Sequence, residues 1–407
     1  MSSCGHTVRS MRGMPVTERT VDIIIAVHDV RRNIRRAVGS VLSDDDSSIR
    51  VLIVCHNLPE TDVRAELADV IGRAPERVRF LQLDDGIPSP SGPFNLGLAA
   101  SDADYVGIMG SDDELDPGAA AQWRATAERF RADAVIAKVV RGDRRALVRS
   151  PAKRVWKSGV LDFAKDRLPY RSAPLGLMRR DAVERLQLRL MDGARSGGDL
   201  PFVTRLWALG RVVPAAGVAA YIEHADAPVR VTWDPKPVRQ ELSAIREVLG
   251  SGFIRSLVPG YRDALATKLL RRNLMDTVRI RDGGRGFTRD DVHAFREVVD
   301  MIESISPRSL GYIASIHRLT VDELRRDEPD FETVHRLSEQ MANPRQWGMV
   351  RPARLTAFLH AQAQPRYVAA SALIKVGASR FLPLARNTAV GVGLMLVTIL
   401  ALTLRRR

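Results

Sequence analysis

Two cysteines, Cys4 and Cys55, are all that the 407-residue chain contains. So few thiols exclude a disulfide framework and a cysteine-built metal cluster, and they fit a reducing compartment. Cys55 falls in an apolar strand pattern and reads as an ordinary core cysteine. Aromatic residues make up 5% of the chain, and no zinc-finger or RNP-type pattern occurs, so nucleic acid is not an expected partner. The opening segment carries no apolar run, so no signal peptide is expected. Internal repeats and low-complexity blocks are absent too. Positive charge, in contrast, is in excess at a formal +14, which points to anionic partners such as acidic headgroups or phosphorylated substrates.

The length supports a large core and more than one folding unit. Residues 1–19 are polar and read as a disordered lead. From Val21 to Val27 the β-branched run VDIIIAV predicts a buried parallel strand. Apolar residues at helical spacing follow through Leu42, with Arg31, Arg32, Arg35 and Arg36 expected toward solvent. Strands are predicted at Ile49 to Val54, Val78 to Leu83, Tyr105 to Met109, Ala134 to Val140 and Arg211 to Tyr221, with helices between them. Strand and helix in alternation argue for a mostly parallel sheet covered on both faces. After Asp234-Pro235 the pattern becomes helical, so residues 20–234 read as an α/β domain and 235–386 as an α-helical domain.

The strongest chemical signal is Ser111-Asp112-Asp113-Glu114, directly after the apolar strand. Carboxylates cannot stay inside a core strand, so they emerge at its C-terminal edge, where open α/β sheets place ligands. Oxygen donors there suit a hard cation such as Mg²⁺ or Mn²⁺, which in turn holds phosphates. Asp116 reads as a helix cap with Pro117 at the first helical position. Near the other end, Thr388 to Leu404 is uncharged and apolar for about the minimum length of a spanning helix. Residues 387–407 are therefore expected to be a transmembrane or interfacial anchor with a basic tail, the globular part lying on the cytoplasmic side of the cell membrane.

Several segments in order resemble a family 2 glycosyltransferase with the GT-A fold. They are the strand VDIIIAVHD and its helix, RVLIV, GPFNLGLA, YVGIMGSDDELDPGA and SGGDLPFVTRLWALG. The resemblance implies inverting transfer of a sugar from a nucleotide-sugar donor to a cell-envelope glycan or lipid-linked acceptor, with a divalent cation, Mn²⁺ or Mg²⁺. Carried over, it puts Ala26, Val27, His28 and Asp29 beside the nucleotide, with His56, Asn57, Asn95, Ser111 and Asp113 as further donor contacts. Asp112 would be the retained acid of the DxD motif at the metal-diphosphate, His224 a further ligand, and Asp199 the catalytic base. Gly110 stands where the family has the first acid of that motif, Cys55-His56-Asn57 where it has consecutive aspartates, and Phe94 where it has a basic residue. A degenerate GT-A module that binds a nucleotide-sugar or a partner without turnover is the alternative these departures support.

Overall fold

The computed structural model describes residues 19–225, 236–282, 286–344 and 346–376. Its centre is a seven-stranded sheet in the order β10-β6-β9-β4-β1-β2-β3. The strands are β1 (Val21–Val27), β2 (Ile49–His56), β3 (Val78–Leu83), β4 (Tyr105–Gly110), β6 (Ala134–Ile136), β9 (Gly176–Arg179) and β10 (Val212–Pro214). β1 pairs in parallel with β2 and β4, and β2 with β3, while β9 runs antiparallel between β4 and β6. β1 is buried almost throughout, as a strand sandwiched between two helical layers must be. A smaller sheet in the order β5-β11-β7-β8 sits beside it, made of Glu114–Leu115, Lys138–Arg141, Ala146–Leu147 and Ala220–Glu223.

Two expected single strands are each split between the sheets. The run 134–140 passes from β6 to β7 at Ala137, whose amide donates to Leu175 O. The run 211–221 breaks after Pro214 and turns through Gly217 at φ 90°, a conformation glycine adopts without strain.

On one face the sheet buries the helices Ile34–Leu42 and Ala119–Phe130. On the other it buries Ser91–Ala100 and Leu200–Leu209, and there the side chains of the helices beyond residue 236 join the same continuous core, among them Val238, Ile245, Leu265, Phe295 and Val298. Helix Ser91–Ala100 lies hard against β1, since a Cβ on Gly97 would come within 2.4 Å of Ile24 Cγ2. The expected boundary at 234/235 and the expected anchor at 387–407 lie outside the described residues. Among the described residues no helix is long and apolar enough to cross a membrane.

Candidate active site

Three parallel strands end together with their C-termini on one edge, and the residues that follow them build a polar cluster. After β4, Asp112 is 7% exposed, and its Oδ2 pairs with Arg32 Nη2 at 2.7 Å. Arg32 Nε also donates to Ser111 Oγ at 3.2 Å, and Arg36 donates to the backbone oxygen of Asp112. Arg32 and Arg36 were expected to face solvent; instead they turn inward, because a buried carboxylate requires a counter-charge. Arg32 ends the turn Val30–Arg32 and Arg36 lies in the helix Ile34–Leu42, with the left-handed Asn33 between them. Arg31 and Arg35 do face outward.

Asp113 is held differently. The Tyr221 hydroxyl donates to its Oδ2 at 2.6 Å, and the His224 amide donates to Oδ1 at 3.1 Å. The same Tyr221 oxygen accepts from Gly110 N–H at 3.0 Å. Burial pushes the Asp113 carboxyl up to about 6 against the pull of the tyrosine bond, with the Asp112 charge adding to the rise. The His224 ring is not turned toward the carboxylate pair: its Nε2 lies 3.0 Å from Glu114 Oε2. Its backbone amide, in turn, positions Asp113. A Cβ on Gly110 would stand 2.6 Å from Asp113 Oδ2 and 3.1 Å from Asp112 Oδ1, so both carboxylates face one point. Two carboxylate oxygens completed by substrate phosphates and water suit an octahedral Mg²⁺ or Mn²⁺. Among the described residues no three His, Cys, Asp or Glu side chains form a closed metal-binding group.

The β1 end contributes unevenly. Val27 is fully buried and can offer only backbone, and Ala26 pairs across to Gly110 and Val54. His28 stands exposed at the strand end, its pKa lowered by desolvation and by the neighbouring Arg32. Asp29 caps the turn Val30–Arg32 and chelates the Arg31 guanidinium, which holds its carboxyl down at about 2. At the β2 end, His56 Nε2 lies 2.9 Å from Asp85 Oδ1, and Asn57 Oδ1 accepts from Gly86 N at 2.9 Å. Asp85 was missed in the sequence, although it follows a parallel strand just as Asp112 does. Cys55 is a core residue whose thiol burial pushes up to about 12.

Asn95 is not in the strand-end cleft. Its Nδ2 donates to Leu190 O and Asp192 Oδ1, both at 2.9 Å, and its Oδ1 accepts from Leu190 N. The amide is spent on fastening the loop that leads to Asp199. Ser89 Oγ donates to Ala194 O at 2.7 Å in the same loop, and Gly198 lies so close to Ser91 that a Cβ would meet its Oγ at 2.5 Å. Asp199 is thereby brought to the head of the helix that leaves β3, at the same edge of the sheet as Asp112. Its side chain does not cap helix Leu200–Leu209. Burial pushes its carboxyl up to about 6, against the attraction of the Lys268 charge. Asp116 does not cap with its side chain either. It pairs with Arg145 and accepts from Ala220 N, fastening β11, while Gly118 takes the cap position.

A mostly parallel sheet with acids at the end of its central strand, and a further carboxylate at the same edge of the sheet, fits a GT-A fold. The glycosyl transferase family 2 model matches residues 22–187, a segment that is thus similar to the family 2 glycosyltransferases. No curated protein matches the sequence. Among solved structures, residues 1–349 of S. aureus TarS in complex with UDP-GlcNAc superpose with a TM-score of 0.65 at 14% identity, covering 79% of this chain and 91% of that one. The UDP complex of the same protein gives 0.63 at 13% identity. Against the longer S. aureus TarS structure the chain spans 55% of that chain's length, with a TM-score of 0.59. At such identities the likeness is one of fold.

Proposed function

We propose that the chain transfers a sugar from a nucleotide-sugar donor, with inversion, to a cell-envelope glycan or lipid-linked acceptor. The observation that carries this reading is Asp199: a carboxylate that caps nothing, at the same edge of the sheet as the acidic strand end, with its pKa raised to about 6. A general base works best when its pKa lies near the working pH. In a single displacement Asp199 would take the proton of the acceptor hydroxyl as that oxygen bonds to the anomeric carbon. The anomeric carbon–oxygen bond to the diphosphate breaks with its electron pair leaving on the diphosphate. His28, His56, Asn57 and Asp85 would hydrogen-bond the base and ribose at the strand ends. A Mn²⁺ or Mg²⁺ ion held by Asp112 and Asp113 would supply charge stabilisation on the leaving diphosphate. The UDP and UDP-GlcNAc complexes of the structurally similar TarS make uridine diphosphate sugars the first donors to try. Residues 388–404 would anchor the protein at the membrane with its catalytic part in the cytoplasm, the basic surface favouring anionic headgroups.

The test is binding and turnover against a panel of UDP-, GDP- and dTDP-sugars with Mn²⁺ or Mg²⁺, comparing wild type with Asp112→Ala and Asp199→Asn. The expected result is metal-dependent binding of one donor, weakened in Asp112→Ala, with transfer abolished but binding kept in Asp199→Asn. Transfer that survives in Asp199→Asn would overturn the assignment of the base. The Arg32 guanidinium on Asp112 favours the second reading, a nucleotide-sugar-binding module without turnover; donor binding with no transfer by wild type would select it.

A further inference from the structure

The charges at the ends of β1 and β4 do not add up to an acidic site. Asp112 and Asp113 are accompanied by two arginines from the segment that follows β1. Arg32 reaches Asp112 Oδ2 at 2.7 Å and Ser111 Oγ at 3.2 Å, and Arg36 donates to the backbone oxygen of Asp112. An acid pair alone attracts a cation, whereas an acid pair matched by two guanidiniums also offers positive charge to an anion. The helix Ser91–Ala100, which starts beyond the end of β3, is uncharged throughout and adds nothing to the positive side.

The two arginines are placed for different work. Arg36 belongs to the helix Ile34–Leu42, whose Ile34, Ala37, Val38 and Val41 are locked in the core, and it serves a backbone carbonyl, which is a structural bond. Arg32 ends the three-residue turn Val30–Arg32, none of whose residues is buried, between the Asp29 cap and Asn33 at φ 59°. From that surface turn its side chain reaches inward, to 16% exposure, and bonds two side-chain oxygens of the strand end. The oxygens of Asp112 are divided: Oδ2 goes to Arg32, while Oδ1 lies 3.1 Å from the point above Gly110 that Asp113 Oδ2 also faces.

We propose that Arg32 is a donor-binding residue, its guanidinium passing from Asp112 to the diphosphate of the nucleotide-sugar. The proposal rests on this strand end binding such a donor, and it holds with or without turnover. A guanidinium fork matches phosphate oxygens as well as it matches a carboxylate, and a diphosphate brings more negative charge than the single carboxylate it replaces. The move requires a backbone that the core does not clamp, which the turn provides and the helix carrying Arg36 does not.

The test is equilibrium binding of nucleoside diphosphates by the full chain in EDTA, where no divalent cation can carry the diphosphate. Calorimetry with UDP, GDP and dTDP, each beside its nucleoside, first finds the one that wild type binds. Arg32→Gln is expected to weaken that diphosphate about tenfold or more and to leave the nucleoside unchanged. Asp112→Asn, which yields Arg32 to the ligand undivided, is expected to tighten it, and the gain should vanish in Arg32→Gln/Asp112→Asn. Equal affinity of wild type and Arg32→Gln, or diphosphate binding that appears only with Mn²⁺, would overturn the proposal. So would a gain in Asp112→Asn that survives in the double variant, since it would come from the lost negative charge alone. Should Arg32→Gln not fold, the comparison of Asp112→Asn with the double variant, in which neither charge of the pair is left stranded, decides by itself. A wild type that binds neither nucleoside nor diphosphate, with or without Mn²⁺, would instead refute the donor-binding reading on which the proposal stands.

Discussion

Replacing Asp199 by Asn should make the protein more stable and less active at once. Carrying a carboxyl from its ordinary 3.8 to about 6 costs about 3 kcal/mol at neutral pH, at 1.36 kcal/mol per unit. That is an upper figure, because an edge of the residue reaches solvent. The amide has the shape of the protonated acid and carries no charge to desolvate, so the variant recovers that cost. The sign follows from linkage: a carboxyl raised in the folded state leaves stability intact below 3.8 and removes it as pH climbs through 6. The advantage of the Asn variant is therefore near zero below pH 4, grows between pH 4 and 6, and is constant above. For a chain of this size it corresponds to roughly 3–4 °C in Tm. Calorimetric melting of both proteins at half-unit steps from pH 4 to 8 reads it. An Asn variant that melts lower, or a difference that does not change with pH, would refute the reasoning.

Three further outcomes test the rest of the site. Arg32→Ala and Asp112→Ala each strand a charge and should cost about 3 kcal/mol, while the double variant should cost clearly less than their sum, as urea unfolding would show. Tyr221→Phe removes the hydroxyl that serves both Gly110 and Asp113; a loss of about 1–3 kcal/mol is expected, with the Asp113 midpoint rising further because one of the bonds that lowers it is gone. Gly97→Ala drives a methyl into Ile24 and should cost about 1–3 kcal/mol in the same assay.

The parts legible in the sequence were those where a single local pattern decides. β1 and β3 occur at the residues expected, because a short apolar pattern bounded by polar residues fixes both type and length. The acidic strand end was legible for the same reason. Hidden from it were the partners of charges. Whether Arg32 faces water or Asp112, and whether Asp116 caps a helix or grips Arg145, depends on residues far away in the chain.

The missing acid at position 110 is best understood through Asp113. Where an aspartate Cβ would stand at 110, the Asp113 oxygen is already 2.6 Å away. The carboxylate is kept there by Tyr221, whose hydroxyl is in turn fixed by the Gly110 amide. Glycine at 110 and an inward Asp113 are thus two sides of one packing solution: the second carboxylate at the strand end comes from after Asp112 instead of before it. Restoring the earlier acid alone, in Gly110→Asp, would crowd three carboxylates into that point and expel Asp113 from Tyr221. Activity would then fall rather than rise, and recovery in the double variant Gly110→Asp/Asp113→Asn would separate relocation of the acid from its loss.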